Sequence, residues 1–130
     1  MLFDWIEFLK LAKKLQDEPN ISGSAEAAYR SAASRAYYAA FQASLEYGKS
    51  IGYIPKNTGD DHKSIQRFFS NSTPKDSLKK KISTQLNRLY EYRQKADYFN
   101  PIVNPKPENL AFYAVQSSVT IFDCISELKK

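Results

Sequence analysis

The sequence predicts an all-α fold: an antiparallel bundle of four long helices plus one short helix, in a single domain spanning residues 1–130. Three observations predict it. Apolar residues recur at spacings of three, four and seven in separate stretches. No stretch alternates with the two-residue period of a strand. The connections are short and hold Pro, Gly and Asn, which favours antiparallel neighbours. There is no internal repeat and no low-complexity segment.

The first helix runs from Leu2 to Gln16. Trp5, Phe8, Leu9, Ala12 and Leu15 share a face, with Lys10, Lys13 and Lys14 mostly off it. Asp17 to Gly23 reads as a loop, and Ser24 as the N-cap of the second helix. That helix, Ala25 to about Gly48, is dominated by alanine as far as Ala43. Alanine gives high intrinsic helicity and little bulk, so neighbouring helices can come close. Set in this background are Tyr29, Arg30, Arg35, Tyr37, Tyr38 and Phe41; Tyr37 and Phe41 share a face with Arg30 and Ser34. Ser50 to Gly59 is a turn-rich connection. Asp60 or Asp61 is expected to cap the short third helix, whose apolar side is Ile65, Phe68 and Phe69.

Ser72-Thr73-Pro74 ends that helix and leads into the fourth, with Asp76 favourable near its positive end. The fourth helix organises the chain. Leu78, Ile82, Leu86, Leu89 and Ala96 form its buried stripe, and Arg93 falls on the same face. A guanidinium stays charged at any physiological pH, so burial obliges it to find an anion. Asp97, four residues on, supplies one as an internal salt bridge; a phosphate from a bound partner would supply another. Pro101 stops the helix by about Asn100. After the loop Asn100 to Pro107, the fifth helix starts at Pro107 or Glu108. Leu110, Ala114, Ser118, Ile121, Ile125 and Leu128 make one stripe, and Ala111, Val115, Val119 and Phe122 a second. A helix this widely apolar is central in the bundle or shared with another subunit.

The net charge of +5 and pI of about 9.2 favour acidic partners, chiefly nucleic acid, over a plain solvated surface only modestly. Lys79, Lys80 and Lys81, with Lys75 and Arg88, make the fourth helix basic. Consecutive lysines point in three directions, which is a solvated face rather than a reading head. One cysteine, Cys124, and one histidine, His62, exclude a disulfide framework and a cysteine–histidine metal site. No metal or other cofactor is expected. A lone thiol suits a reducing cytoplasm. The N-terminus lacks the pattern of a signal peptide, and no window approaches a membrane span. A glycine-rich phosphate loop and a Ser–His–Asp set are also missing.

Two segments together, SRAYYAAFQAS from Ser34 and YRQKADY from Tyr92, resemble the HEPN superfamily of small helical domains, in its compact prokaryotic branch with an Arg-x-x-x-Asp-Tyr ending. HKSIQRFF from His62 is a weaker third match. The resemblance covers nearly the whole chain. It implies a cytoplasmic homodimer that targets RNA, as a metal-independent endoribonuclease of a toxin–antitoxin or antiviral defence system, with a small nucleotidyltransferase antitoxin as a partner. The family's catalytic motif is Arg, four to six residues, then His. Two copies of it meet across a dimer cleft and face the RNA backbone. Arg93 matches the arginine, but Tyr98 stands where the shortest spacing wants histidine. The alternative is a catalytically degenerate module that binds nucleotide, nucleic acid or a nucleotidyltransferase partner.

Metal-free RNA cleavage makes the ribose 2′-OH attack its own phosphate. The step needs a group that moves protons near neutral pH and a cation for the phosphorane charge. On the resemblance, Arg93 takes the phosphate, Asp97 orients it and Tyr98 supports it, while Arg35, Tyr38 and Lys95 add to the nucleic-acid surface. Arg35, Tyr37 and Tyr38 also read simply as packing between the second and fourth helices. His62 reads as a residue at the surface of a helix start, or as a proton-transfer group, since imidazole titrates nearest to neutrality.

Overall fold

The computed structural model describes residues 2–57, 59–71 and 76–130. Helix α1 spans Ile6–Asp17, α2 Ala25–Ser50, α3 Asp61–Ser70, α4 Ser77–Tyr98 and α5 Pro107–Leu128; a 3-10 turn, Pro19–Ser22, joins α1 to α2. The described residues contain no strand, and no helix is long and apolar enough to cross a membrane.

The helix starts follow local chemistry. Ser24 Oγ accepts the Ala27 amide at 3.3 Å and caps α2. Asp76 Oδ1 accepts the amides of Leu78 and Lys79 at 2.9 and 3.3 Å and caps α4. Ser72, Thr73 and Pro74, expected to lead into this helix, lie outside the described residues, as does Lys75. Pro107 opens α5, where its missing N–H costs nothing. Two expectations need correction. Helix α1 begins at Ile6 rather than Leu2: Asp4 Oδ1 accepts the Ile6 amide at 3.2 Å and so marks the start, while Phe3, Trp5 and Phe8 gather edge to face beside it, with centroids 4.9–5.3 Å apart. Asp60 does not cap α3 through its side chain.

Helix α2 is the hub, touching α1, α3, α4 and α5. Ala28, Ala32, Ala33, Ala36, Ala39 and Ala40 are all buried on it. Such small side chains let four neighbours approach one helix at once. The fifth helix, also widely buried, packs on α1, α2 and α4. Register follows from individual contacts. Arg30 and Tyr38 of α2 reach Ala96 and Arg93 of α4, so these two helices are antiparallel. On the other side Tyr92 of α4 meets Tyr113 of α5, while Gln85 shares a groove with Thr120, again antiparallel. It follows that α2 and α5 run parallel where they touch. The expected stripe of α4 is confirmed: Ile82, Leu86, Leu89 and Ala96 are buried and Leu78 half-buried.

Asp61 acts backwards along the chain. Its carboxylate accepts the Tyr53 hydroxyl at 2.6 Å and the amides of Lys56 and Asn57 at 2.9 and 3.2 Å, closing the loop before α3. The Tyr53 hydroxyl, and then the Lys56 amide, hold the Asp61 carboxyl below its usual range. Burial, and then Asp61 itself, push the Tyr53 phenol up to about 12. A carboxyl with a lowered folded pKa stabilises the fold above its unfolded value of about 4 and ceases to as pH falls through the folded value. Asp61→Asn is therefore expected to cost about 1 kcal/mol at pH 7 by urea denaturation, with the gap to wild type narrowing as pH falls below about 4.

Candidate nucleic-acid interface

Three residues one turn apart on α2, Arg30, Ser34 and Tyr38, face two residues one turn apart on α4, Arg93 and Asp97. The antiparallel register brings the two rows together. Arg93 Nε donates to Asp97 Oδ2 at 2.9 Å, and Arg93 Nη2 donates to the Tyr38 hydroxyl at 2.9 Å. Ser34 donates its hydroxyl to the other oxygen of Asp97. Arg30 Nη1 donates to the Ala96 carbonyl at 3.0 Å, and its Nε donates to Glu26 at 2.9 Å. One carboxylate thus ties together a guanidinium of α4 and a hydroxyl of α2.

The Arg93 side chain is 20% exposed and that of Asp97 29%. The guanidinium carbon lies 5.4, 5.8 and 5.9 Å from the ring centres of Tyr38, Tyr37 and Tyr98, within cation–π range. Partial burial alone would lower the Arg93 pKa; Tyr38, Asp97 and Tyr98 outweigh it and raise it. Tyr37 is buried beneath, and burial pushes its phenol well above the usual tyrosine range despite Arg93 nearby. It stays neutral.

A shallow groove of about 330 Å³ opens on this seam, lined by Arg30, Ser31, Ser34, Arg35, Tyr38 and Asp97. Arg93 does not line it. It stands behind the wall, holding the Tyr38 hydroxyl and the Asp97 carboxylate that do. Arg35 is exposed on the rim. Its guanidinium lies 5.4 Å above the Phe8 ring and has no hydrogen bond or ion pair among the described residues. Among the described residues the groove therefore offers hydroxyl donors from Ser31 and Tyr38, the Ser34 proton being given to Asp97, and one cation, Arg35, without an anion.

The remaining expected residues fall elsewhere. Tyr98 is 67% exposed beside Arg93, on the outer side of the pair. Lys95 does not join the groove; its Nζ donates to the Asn104 carbonyl at 3.2 Å and ties the following loop to α4. Two residues after Arg93, it points away from it because two helical steps turn through about 200°. His62 is not a plain surface residue. Its ring stacks on Tyr90, with centroids 4.5 Å apart and planes 8° from parallel. Its Nε2 is enclosed, with no hydrogen-bond partner among the described residues. Tyr90 and then Tyr37 separate it from Arg93, so it cannot pass a proton directly into the groove. Cys124 is buried, and burial raises its thiol pKa, which disfavours the reactive thiolate. No group of three His, Cys, Asp or Glu among the described residues could hold a metal ion.

Arg30, Ser31 and Ser34 were not among the site residues expected from sequence. The signal was the i, i+4, i+8 row of Arg30, Ser34 and Tyr38, which gains meaning only once paired with the Arg93/Asp97 row. Side chains at these exposures fall between surface pairs and buried ones. Arg93→Ala is expected to cost about 1–2 kcal/mol in urea denaturation. A double-mutant cycle with Asp97→Ala should give a coupling of about 1 kcal/mol; additivity would contradict the pairing. Comparison with protein families, with curated proteins and with solved structures returned no match for this chain.

Proposed function

We propose that this chain is a HEPN-like, RNA-targeting module whose α2–α4 groove grips a backbone phosphate without cutting it. The observation that carries this reading is the division of labour between two arginines. Arg35 lies on the groove over the Phe8 ring, with no anion paired to it among the described residues. Arg93 is already paired and fixes the wall beside it. A phosphate placed in the groove would take the Arg35 guanidinium and the hydroxyl protons of Ser31 and Tyr38, in the charge-assisted manner typical of arginine. Phosphate contacts of this kind are independent of sequence and sensitive to salt.

Binding rather than cleavage is favoured because no imidazole lines the groove among the described residues. The only imidazole lies behind two aromatic rings. One observation supports the nuclease reading instead: the exposed Tyr98 phenol beside Arg93, where a proton donor to a leaving oxygen would be useful. The homodimer and the nucleotidyltransferase partner are part of the same proposal and rest on the motif resemblance alone.

One experiment separates these readings. Labelled single-stranded RNA is incubated with the purified protein in chelator, and both binding and integrity are followed. The binding reading expects intact RNA, an affinity that falls with salt, and a loss of about tenfold in Arg35→Gln, the size of one charge-assisted contact. Cleavage that disappears in Arg93→Ala would transfer the case to the nuclease. Arg35→Gln binding as tightly as wild type would sink the groove as the contact site.

A further inference from the structure

The opposite side of α4 carries a feature that the α2–α4 groove does not explain. Tyr92 of α4 and Tyr113 of α5 approach with ring centroids 6.3 Å apart and planes tilted by 33°. Tyr113 is 44% exposed, and Phe112 beside it 46%. Tyr113 in particular presents an open ring face at the junction of two grooves, where a planar ligand could stack. Two grooves meet at the pair and share both tyrosines. One, of about 510 Å³, is bordered by Asn104, Lys106 and Asn109. The other, of about 240 Å³, is bordered by Gln85, Arg88 and Gln116.

The chemistry of this lining is one-sided. Among the described residues it contains two cations, Arg88 and Lys106, and no acidic residue. Neither cation has an ion pair or side-chain hydrogen bond among the described residues. Asparagine and glutamine amides fill the positions between. Aromatic faces at the centre, positive charge toward both ends and amides along the way are what a single-stranded nucleic acid needs: a ring to stack each base on, cations for the phosphates, and donors and acceptors for base edges. From Lys106 to Thr120 the strip follows α5 for about 20 Å, at 1.5 Å per residue. That is long enough for several nucleotides and much longer than a mononucleotide requires. A protein partner would have to bring acidic groups placed to match both cations, whereas a nucleic-acid backbone carries an anion at every nucleotide. Lys95 acts here as a positioning residue: its bond to the Asn104 carbonyl holds the loop that carries Asn104 and Lys106 against α4.

We propose that the α4–α5 face is a second binding strip, which takes single-stranded RNA by stacking bases on Tyr113 and Tyr92 between Arg88 and Lys106. It extends the RNA-targeting reading to a new surface but stands on different residues, so the two can fail separately. The test is fluorescence anisotropy of an end-labelled single-stranded RNA of about twelve nucleotides, a length within the range of known single-strand sites, on the full chain. Tyr113→Ala is expected to weaken binding about tenfold, while Tyr113→Phe, which keeps the ring, restores it. Arg88→Gln should weaken binding and flatten the salt dependence, which Tyr113→Ala leaves unchanged. Arg35→Gln reports on the other groove in the same assay. If Tyr113→Ala binds like wild type while Arg35→Gln is impaired, the strip is overturned and the α2–α4 groove survives. The reverse pattern keeps the strip and removes the groove. If wild type binds no RNA at all, the strip as a nucleic-acid site is wrong, and so is the groove.

Discussion

A guanidinium cannot shed its charge to suit a partly buried position, and Arg93 must therefore be satisfied by what surrounds it. Asp97 meets Nε, Tyr38 meets Nη2, and three tyrosine rings enclose the remainder. The same carboxylate accepts from Ser34 of α2. Through these contacts one charge joins two helices in a fixed register. The neighbouring groove inherits its shape from that register, because Tyr38 and Asp97 form its wall. A lysine in place of Arg93 would keep the charge but offer a point donor instead of a fork, and could not hold both partners in this geometry.

That arrangement is possible only because α2 is built largely of alanine. A bulkier α2 would push α4 outward and leave Arg93 short of the Tyr38 hydroxyl. The buried alanines let α2 touch every other helix, so the hub of the bundle is the helix of small side chains and not the apolar α5. Helix α4 then works on two sides. Arg93 and Asp97 face α2, and Tyr92, one step earlier, faces α5. Each of these faces carries positive charge without an anion among the described residues: Arg35 on one, and Arg88 and Lys106 on the other.

Most of the architecture was legible in the sequence. The stripes of α4 and α5 and the Ser24 cap depend on local spacing and local chemistry, which a sequence displays directly. The start of α1 was not read correctly, because the apolar run from Leu2 masks Asp4, whose side chain accepts the Ile6 amide where the helix begins. The role of Asp61 was also hidden: its partners lie in the preceding loop, and a first-turn carboxylate reads as a cap until Tyr53 is found against it. At the site, the pairing of Arg93 with Asp97 was visible as an i, i+4 step, whereas the Tyr38 contact spans 55 residues of chain. Lys95 and His62 were misplaced for a common reason. Composition says which side chains could serve chemistry, but only the helix rotation and the neighbouring rings say where they point.

The claim on which all of this rests is that the Arg93 guanidinium is immobilised between α2 and α4. Arginine side-chain NMR tests it directly. A single Nε–H signal, absent in Arg93→Lys, should exchange with solvent far more slowly than that of Arg35 and should lose this protection in Asp97→Asn. An Arg93 Nε–H that exchanges as freely as that of Arg35 would contradict the account.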